Sequence, residues 1–223
     1  MVFRHEVKHQ ISLIDSTVLK DRMKFITSVD QNTLDGKYFV RSIYFDNITD
    51  KVLREKIDGI NIREKFRIRY YNNDTSFIRL EKKSKINGLC NKQVTILTEE
   101  QVRQILENNI SWMVKSEDKI IQELYGKIRN QNLKPKTIVD YIREPFIYKP
   151  GNVRITIDSN IRTGLTSTDF LNPNCVTVPV SNSPIILEVK WDEYLPSIIS
   201  DIIQIGSCRS QAFSKYAAAR VYD

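Results

Sequence analysis

The chain has 223 residues, enough for a single domain with a sizeable core, and its 34 Lys and Arg against 27 Asp and Glu give a formal charge of +7. That balance favours an anionic partner and is spread through the chain, unlike the polybasic run of an electrostatic membrane tether. Three distant cysteines without CxxC spacing argue against a disulfide framework and a structural zinc site, and no stretch approaches the ~20 apolar residues of a membrane span. These features imply a cytoplasmic protein with reduced thiols. Nucleic acid, a phosphorylated small molecule, polyphosphate and an acidic surface remain as partner classes.

In chain order, Phe3 to Ile11 alternates as a strand, placing Arg4, Glu6 and Lys8 on one face and His5, Val7 and His9 on the other. On a strand the two histidines do not converge as metal ligands. Asp15 is the expected N-cap of a helix carrying Val18, Leu19, Met23, Phe25 and Ile26. After a turn at Asp35-Gly36, Tyr38 to Asp46 reads as a β-branched and aromatic strand, and Thr49 or Asp50 would cap a short helix ending at Asp58-Gly59.

The next strand, Ile62 to Tyr70, is the most informative stretch. Strand geometry puts Arg63, Lys65, Arg67 and Arg69 on one face and Ile62, Phe66, Ile68 and Tyr70 on the other. Adjacent cations so placed repel by roughly 2 kcal/mol per pair at an effective dielectric of ~20. Phe77 to Lys85 repeats the pattern, with Arg79, Glu81, Lys83 and Lys85 opposite Ile78 and Leu80. Two basic faces in succession imply a charged concavity that an anion would neutralise.

Asn87-Gly88 forms a hairpin turn into Leu89 to Ile96, where the facing of Lys92 depends on register. Thr98 to Gln101 has a capping box, and Ser116 to Asn130 carries a helical stripe of Ile120, Ile121, Leu124 and Ile128. Strands follow at Thr137 to Glu144 and Asn152 to Asp158, the latter grouping Arg154, Thr156 and Asp158 on one face. A long connection from Arg162 to Ser183 leads to a last strand, Pro184 to Trp191, with Glu188 and Lys190 together. Pro196 opens a helix through Ile203, and a final helix from about Gln211 carries Phe213, Tyr216, Ala217 and Val221.

The census is about eight strands in mostly antiparallel order with four to six helices, an α+β chain forming one domain over residues 1–223. Its sheet is either open with its charged faces in water or closed into a barrel with the helices outside. Almost every strand has one apolar and one charged face, and a closed sheet would turn the charges inward. The aromatics Phe66 and Tyr70 lie opposite the cations, which disfavours a nucleic-acid platform.

Eight motifs occur in register: Arg4-x-Glu6-x-Lys8; Ser42-x-Tyr44-Phe45-Asp46; Asp58-Gly59 leading to Arg63-x-Lys65-x-Arg67-x-Arg69-Tyr70; Leu80-Glu81-x-Lys83-x-Lys85; Asp140-Tyr141-x-Arg143; Val153 to Asp158; Leu187-Glu188-Val189-Lys190; and Phe213-Ser214-Lys215-Tyr216. Together they resemble the VTC domain, the polyphosphate polymerase branch of the triphosphate tunnel metalloenzymes. The resemblance implies an antiparallel eight-stranded β tunnel (triphosphate tunnel fold) with helices packed on the outside, and transfer of the ATP γ-phosphoryl group to polyphosphate, with Mn²⁺ or Mg²⁺. It implies phosphate contacts from Lys8, Arg67, Arg69, Lys83, Lys92, Arg143, Arg154 and Lys215, and a metal-binding role for Glu188. Lys190, Arg63 and Lys65 share the charged faces and are further phosphate-binding candidates, the last two nearer a mouth. Glu6 and Glu81 are expected to orient the cations, with joining Glu188 at the metal as the alternative for either.

The family's eukaryotic members often carry a second lysine where this chain has Ala212; Arg209 or Arg220 would compensate. This chain carries neither an SPX domain nor membrane segments, so a separate membrane protein would move product. A triphosphatase of the same fold and a non-catalytic polyphosphate-binding module are the alternatives, although Arg4 stands where hydrolases of the superfamily typically carry the first Glu of E-x-E-x-K.

Overall fold

Alternation between apolar and charged residues curls most of the chain into one antiparallel sheet. The computed structural model describes residues 4–31, 33–204 and 213–221. Its strands are β1 (His5–Ile11), β2 (Ser28–Val29), β3 (Tyr38–Asp46), β4 (Arg63–Tyr71), β5 (Asp74–Ile86), β6 (Leu89–Leu97), β7 (Lys134–Tyr148), β8 (Val153–Thr163), β9 (Val178–Pro179) and β10 (Ile185–Trp191). The helices are α1 (Leu13–Met23), α2 (Lys51–Ile57), α3 (Glu99–Leu106), α4 (Lys119–Gln131), α5 (Ser197–Ile203) and α6 (Lys215–Ala219). Eight strands run in the order β1-β10-β8-β7-β3-β4-β5-β6, with β2 and β9 added on β7 and β8. The two edges meet in a single bridge between Arg4 and Cys90, so the curl nearly closes.

The convex face is apolar. Ile43, Phe66, Ile68, Ile78 and Leu80 pack under α3 and α4, which contribute Val102, Ile105, Ile121 and Leu124. Ile155, Ile157, Leu187 and Val189 pack under α1 and α5 through Leu19, Met23 and Ile199. Each such side chain contributes about 1.5–3 kcal/mol on burial, which fixes the facing of every strand and turns the alternating charged residues inward. No helix among the described residues is long and apolar enough to cross a membrane.

Two helices close the concave side. Tyr216 and Ala219 of α6 pack against Tyr44, Val139 and Tyr141, with Val52 and Leu53 of α2 beside them. Asp46, almost fully buried, joins these helices: it accepts from the backbone N–H groups of Val52 (2.9 Å) and Leu53 (3.1 Å) and from the Tyr216 hydroxyl (2.7 Å). This corrects the expected cap of α2. Asp50 occupies the N-cap position in a left-handed conformation and makes no capping bond there, while Asp46 and Asn47 satisfy the exposed N–H groups.

Other boundaries also differ from expectation. Ser12, not Asp15, caps α1, with Asp15 as the returning member of the capping box. The box at Thr98 and Gln101 forms as expected. Strand β7 runs through Pro135 and Pro145, and Pro135 coincides with a register shift against β3. The connection from Arg162 to Ser183 starts as the end of β8 and contains β9. Gln211, Ala212 and Arg209 lie outside the described residues, as does Phe3.

Arg41 and Asp140 are directly opposed on β3 and β7 and form a buried bidentate pair at 2.9 and 2.8 Å, with Arg41 also donating to the Asn172 carbonyl at 2.5 Å. Removing one partner strands a buried charge. Asp140→Ala is predicted to lower the unfolding free energy by about 3–5 kcal/mol in urea titration, and Arg41→Met/Asp140→Leu to recover most of it. A loss below ~1 kcal/mol would show that the pair behaves as a solvated one.

Candidate functional site

Inward-facing residues of the main strands line a chamber of about 550 Å³. Among the described residues, twelve Lys and Arg line it against four Asp and Glu. A second cavity of about 240 Å³ shares Glu6, Lys8, Lys65 and Lys83 with the first and adds Lys56, Arg63 and Lys85. A third, of about 470 Å³, lies toward α2 and α4; there Lys82 is paired with Glu64 (3.1 Å) and Glu123 (2.7 Å), and no comparable excess of cations arises.

Three carboxylate nodes hold the chamber's cations apart. The first is Glu81 on β5, 1% exposed, which accepts from Arg67 Nε at 2.7 Å and lies 3.8 Å from Arg69 and 3.4 Å from Lys92. Burial opposes its charge, but Arg67, Arg69 and Lys92 hold its carboxyl well below the usual range. The second is the pair Glu6 and Glu188. Glu6 reaches Lys8 (3.0 Å), Lys83 (2.8 Å) and Lys190 (3.6 Å); Glu188 reaches Lys8 (3.3 Å) and Lys190. The third is Asp158, fully buried, bound in a fork by Arg143 at 2.6 and 2.7 Å and by Lys215 at 2.5 Å. Despite their burial, Glu188 and Asp158 also stay ionised through these cations, their pKa values lowered.

The sequence-based candidates are therefore largely brought together: Lys8, Lys65, Arg67, Arg69, Lys83, Lys92, Arg143, Arg154, Glu188, Lys190 and Lys215 all line the main chamber. Arg63 does not; it lines the smaller cavity and donates to the Ile60 carbonyl. Lys92 faces inward because it is opposite Lys83 in register. Arg220 does not replace a chamber lysine, since its guanidinium donates to Asp50 and to the Tyr216 hydroxyl at 2.9 Å each. Glu6 and Glu81 hold cations in place, as expected.

The residues that sequence reasoning passed over are tyrosines and a serine. Tyr44 accepts from Arg67 at 3.0 Å, Ser42 accepts from Arg69 Nε at 2.8 Å, and Tyr38 accepts from Arg154 at 2.7 Å. Tyr141 lies under Arg143 and Lys215, with 4.7 Å from Lys215 Nζ to the ring centroid. Their signal was available in the alternation of β3 and β7, where they share the inward face. Among the described residues, three buried polar atoms on this wall find no hydrogen-bond partner: Arg69 Nη2, Arg154 Nε and Thr156 Oγ1.

Lys65 has no carboxylate partner among the described residues; its ammonium stands 5.3 Å from the Tyr44 ring centroid. Burial, with Lys83, Arg67 and Lys8 nearby, pushes it down to about 7 against the opposing pull of Tyr44. Tyr44 is itself brought to about 7: burial alone would raise it, but Arg67, Lys65 and Arg69 outweigh that.

The VTC domain family model matches residues 3–222. A search of curated proteins returns no match. Among solved structures, a candidate adenylate cyclase of Bacillus halodurans is similar at a TM-score of 0.50 and 12% identity, covering 85% of this chain and 80% of that one. A candidate adenylate cyclase of Vibrio parahaemolyticus gives 0.47 and 10%, covering 90% and 82%. The first likeness shows a shared tunnel-like fold.

Two outcomes follow from the charges. A carboxyl held below its unfolded value contributes stability above about pH 4.5 that is lost as pH falls through the folded value; Glu81→Gln should therefore reduce the acid-side slope of unfolding free energy by up to ~1.4 kcal/mol per pH unit between pH 4.5 and 3. An unchanged slope in acid urea titrations would remove Glu81 from that role. Above about pH 7, Lys65 loses its proton and Tyr44 gains charge, so affinity for inorganic tripolyphosphate should fall from pH 7 to 9. Lys65→Met should bind more weakly below pH 7 and show a flatter profile by calorimetry.

Proposed function

The chain belongs to the VTC domain family, and on that footing we propose that it is a metal-dependent polyphosphate polymerase, transferring the ATP γ-phosphoryl group to a growing polyphosphate chain. The observation that carries this reading is the set of buried polar atoms of Arg69, Arg154 and Thr156 on a cation-rich wall that find no hydrogen-bond partner among the described residues. A buried donor without an acceptor costs about 1–3 kcal/mol. Phosphate oxygens would supply the acceptors and neutralise the surrounding charge.

In the transfer, a terminal oxygen of the acceptor chain forms a bond to the γ-phosphorus while the bridging bond to the β-phosphate breaks, and ADP leaves with that bond's electrons. The transition state is loose and its charge lies on oxygens, so catalysis is mainly positioning and electrostatic stabilisation. Arg67, fixed by Glu81 and Tyr44, would hold the transferred phosphoryl, and Arg69, fixed by Ser42, the phosphates next to it. Arg143 and Lys215, fixed by Asp158, and Lys8, Lys83 and Lys190, fixed by Glu6 and Glu188, would hold flanking phosphates. The smaller cavity continues the basic path.

Among the described residues no group of three His, Cys, Asp or Glu forms a closed metal cage. The chamber instead fits a cation carried by phosphate: Mn²⁺ or Mg²⁺ takes one or two carboxylates and completes its shell with phosphate oxygens and water. Glu188, with Glu6 across Lys8, would hold it. Bound there, it would draw charge from the phosphate oxygens.

Glu6, Glu81, Asp158 and Glu188 are each bound to two or more cations and remain ionised, which makes them weak bases toward water. This supports transfer to an anionic acceptor over hydrolysis. Incubation with ATP and Mn²⁺, followed by gel analysis, should yield long polyphosphate. Arg69→Ala should lower kcat by about 10²-fold or more, and Glu188→Gln should abolish turnover. Orthophosphate without polymer would identify a hydrolase, and neither product would identify a binding module.

A further inference from the structure

One mouth of the main chamber is unlike the rest of its wall. Strands β4 and β5 are joined by Asn72 and Asn73, both left-handed at φ 51° and 57°, the conformation of a tight two-residue hairpin turn. This turn brings Tyr71, Phe77 and Arg79 together on the inward face. The Arg79 guanidinium lies over both rings, 4.7 Å from the Phe77 centroid and 5.3 Å from that of Tyr71.

We propose that Phe77, Arg79 and Tyr71 form the seat of a purine ring, so that a purine nucleoside triphosphate enters by this mouth with its phosphates running inward over Arg69 and Arg67. The inference rests on the reading of ATP as phosphoryl donor.

Four observations carry it. Phe77 is 43% exposed, whereas Tyr44 and Tyr141 on the same wall are 2% exposed. An open ring among cations offers a stacking face and no ionic contact. Arg79 has no carboxylate partner among the described residues and lies directly opposite Arg69 in register. Like charges so opposed are destabilising until an anion lies between them. Guanidinium planes and aromatic rings both stack on bases.

Spacing gives the third observation: Phe77 is four residues from Glu81, about 13 Å along the strand, so a base at Phe77 puts the ribose and first phosphates beside Arg69, opposite Arg79, and the later phosphate beside Arg67, opposite Glu81. The fourth is the asymmetry of the cavities. What the smaller cavity adds on the other side of Lys65 and Lys83 includes three further cations, Lys56, Arg63 and Lys85. That end suits phosphate, while the hairpin end suits a base.

The test compares dissociation constants of AMP-PNP and inorganic tripolyphosphate on the full chain. Phe77→Ala should weaken AMP-PNP by roughly 5- to 100-fold and leave tripolyphosphate within twofold; Phe77→Leu, which keeps apolar bulk but no π face, should behave likewise, and Phe77→Trp should retain affinity. Equal weakening of both ligands, or an unchanged AMP-PNP constant in Phe77→Ala, overturns the subsite. If the wild type makes no polyphosphate while the AMP-PNP loss is selective, the subsite is supported and the polymerase reading alone falls.

Discussion

The structure depends on separating like charges at close quarters. A wall bearing Arg67, Arg69, Lys83, Arg143 and Lys215 would repel itself apart in a low-dielectric lumen unless acids were inserted between the cations. Glu81, Glu6, Glu188 and Asp158 do this, each shared by at least two cations. The neutralisation is incomplete: Lys65 and Arg79 rest on aromatic rings, and several donors have no acceptor among the described residues. The result is a positive field already oriented before any anion arrives, with its side chains fixed by hydrogen bonds to Tyr44, Ser42 and Tyr38.

Much of this was legible in the alternation of β4 and β5. A strand has a period of two, so once Ile68, Ile78 and Leu80 are assigned to the core, Arg67, Arg69, Arg79, Glu81 and Lys83 are inward without further assumption. The direction of Lys92 needed the register of β5 with β6, which a sequence alone does not fix. Asp158 was visible beside Arg154 and Thr156, but its fork with Arg143 depends on β7 and β8 pairing across a register shift. Arg63 shares a face with Arg67, yet a strand long enough to cross the lumen carries its two ends into different cavities.

The tyrosines were missed for a different reason. Tyr44 and Tyr71 read as strand-forming aromatics, and Tyr141 entered only through the Asp140-Tyr141-x-Arg143 motif without a role of its own. The expectation that aromatics and cations lie on opposite faces was drawn from Phe66 and Tyr70, which do belong to the outer core. The inward aromatics Tyr71 and Phe77 straddle a two-residue turn, so the pattern breaks where the stack is built. Local caps were misplaced by similar competition: Ser12 and Asp46 took roles that Asp15 and Asp50 could fill by composition.

Asp46 carries one more consequence. It ties the start of α2 to Tyr216 of α6 from behind the wall, and α6 also carries Lys215, while α2 carries Lys56. The two helices are thus tied to each other through one buried carboxylate, and their depth against the wall is set by a contact outside the phosphate-lining set. The calibre of the lumen is a mechanical property of this hidden joint, separable in evolution from the chemistry of the residues that meet phosphate.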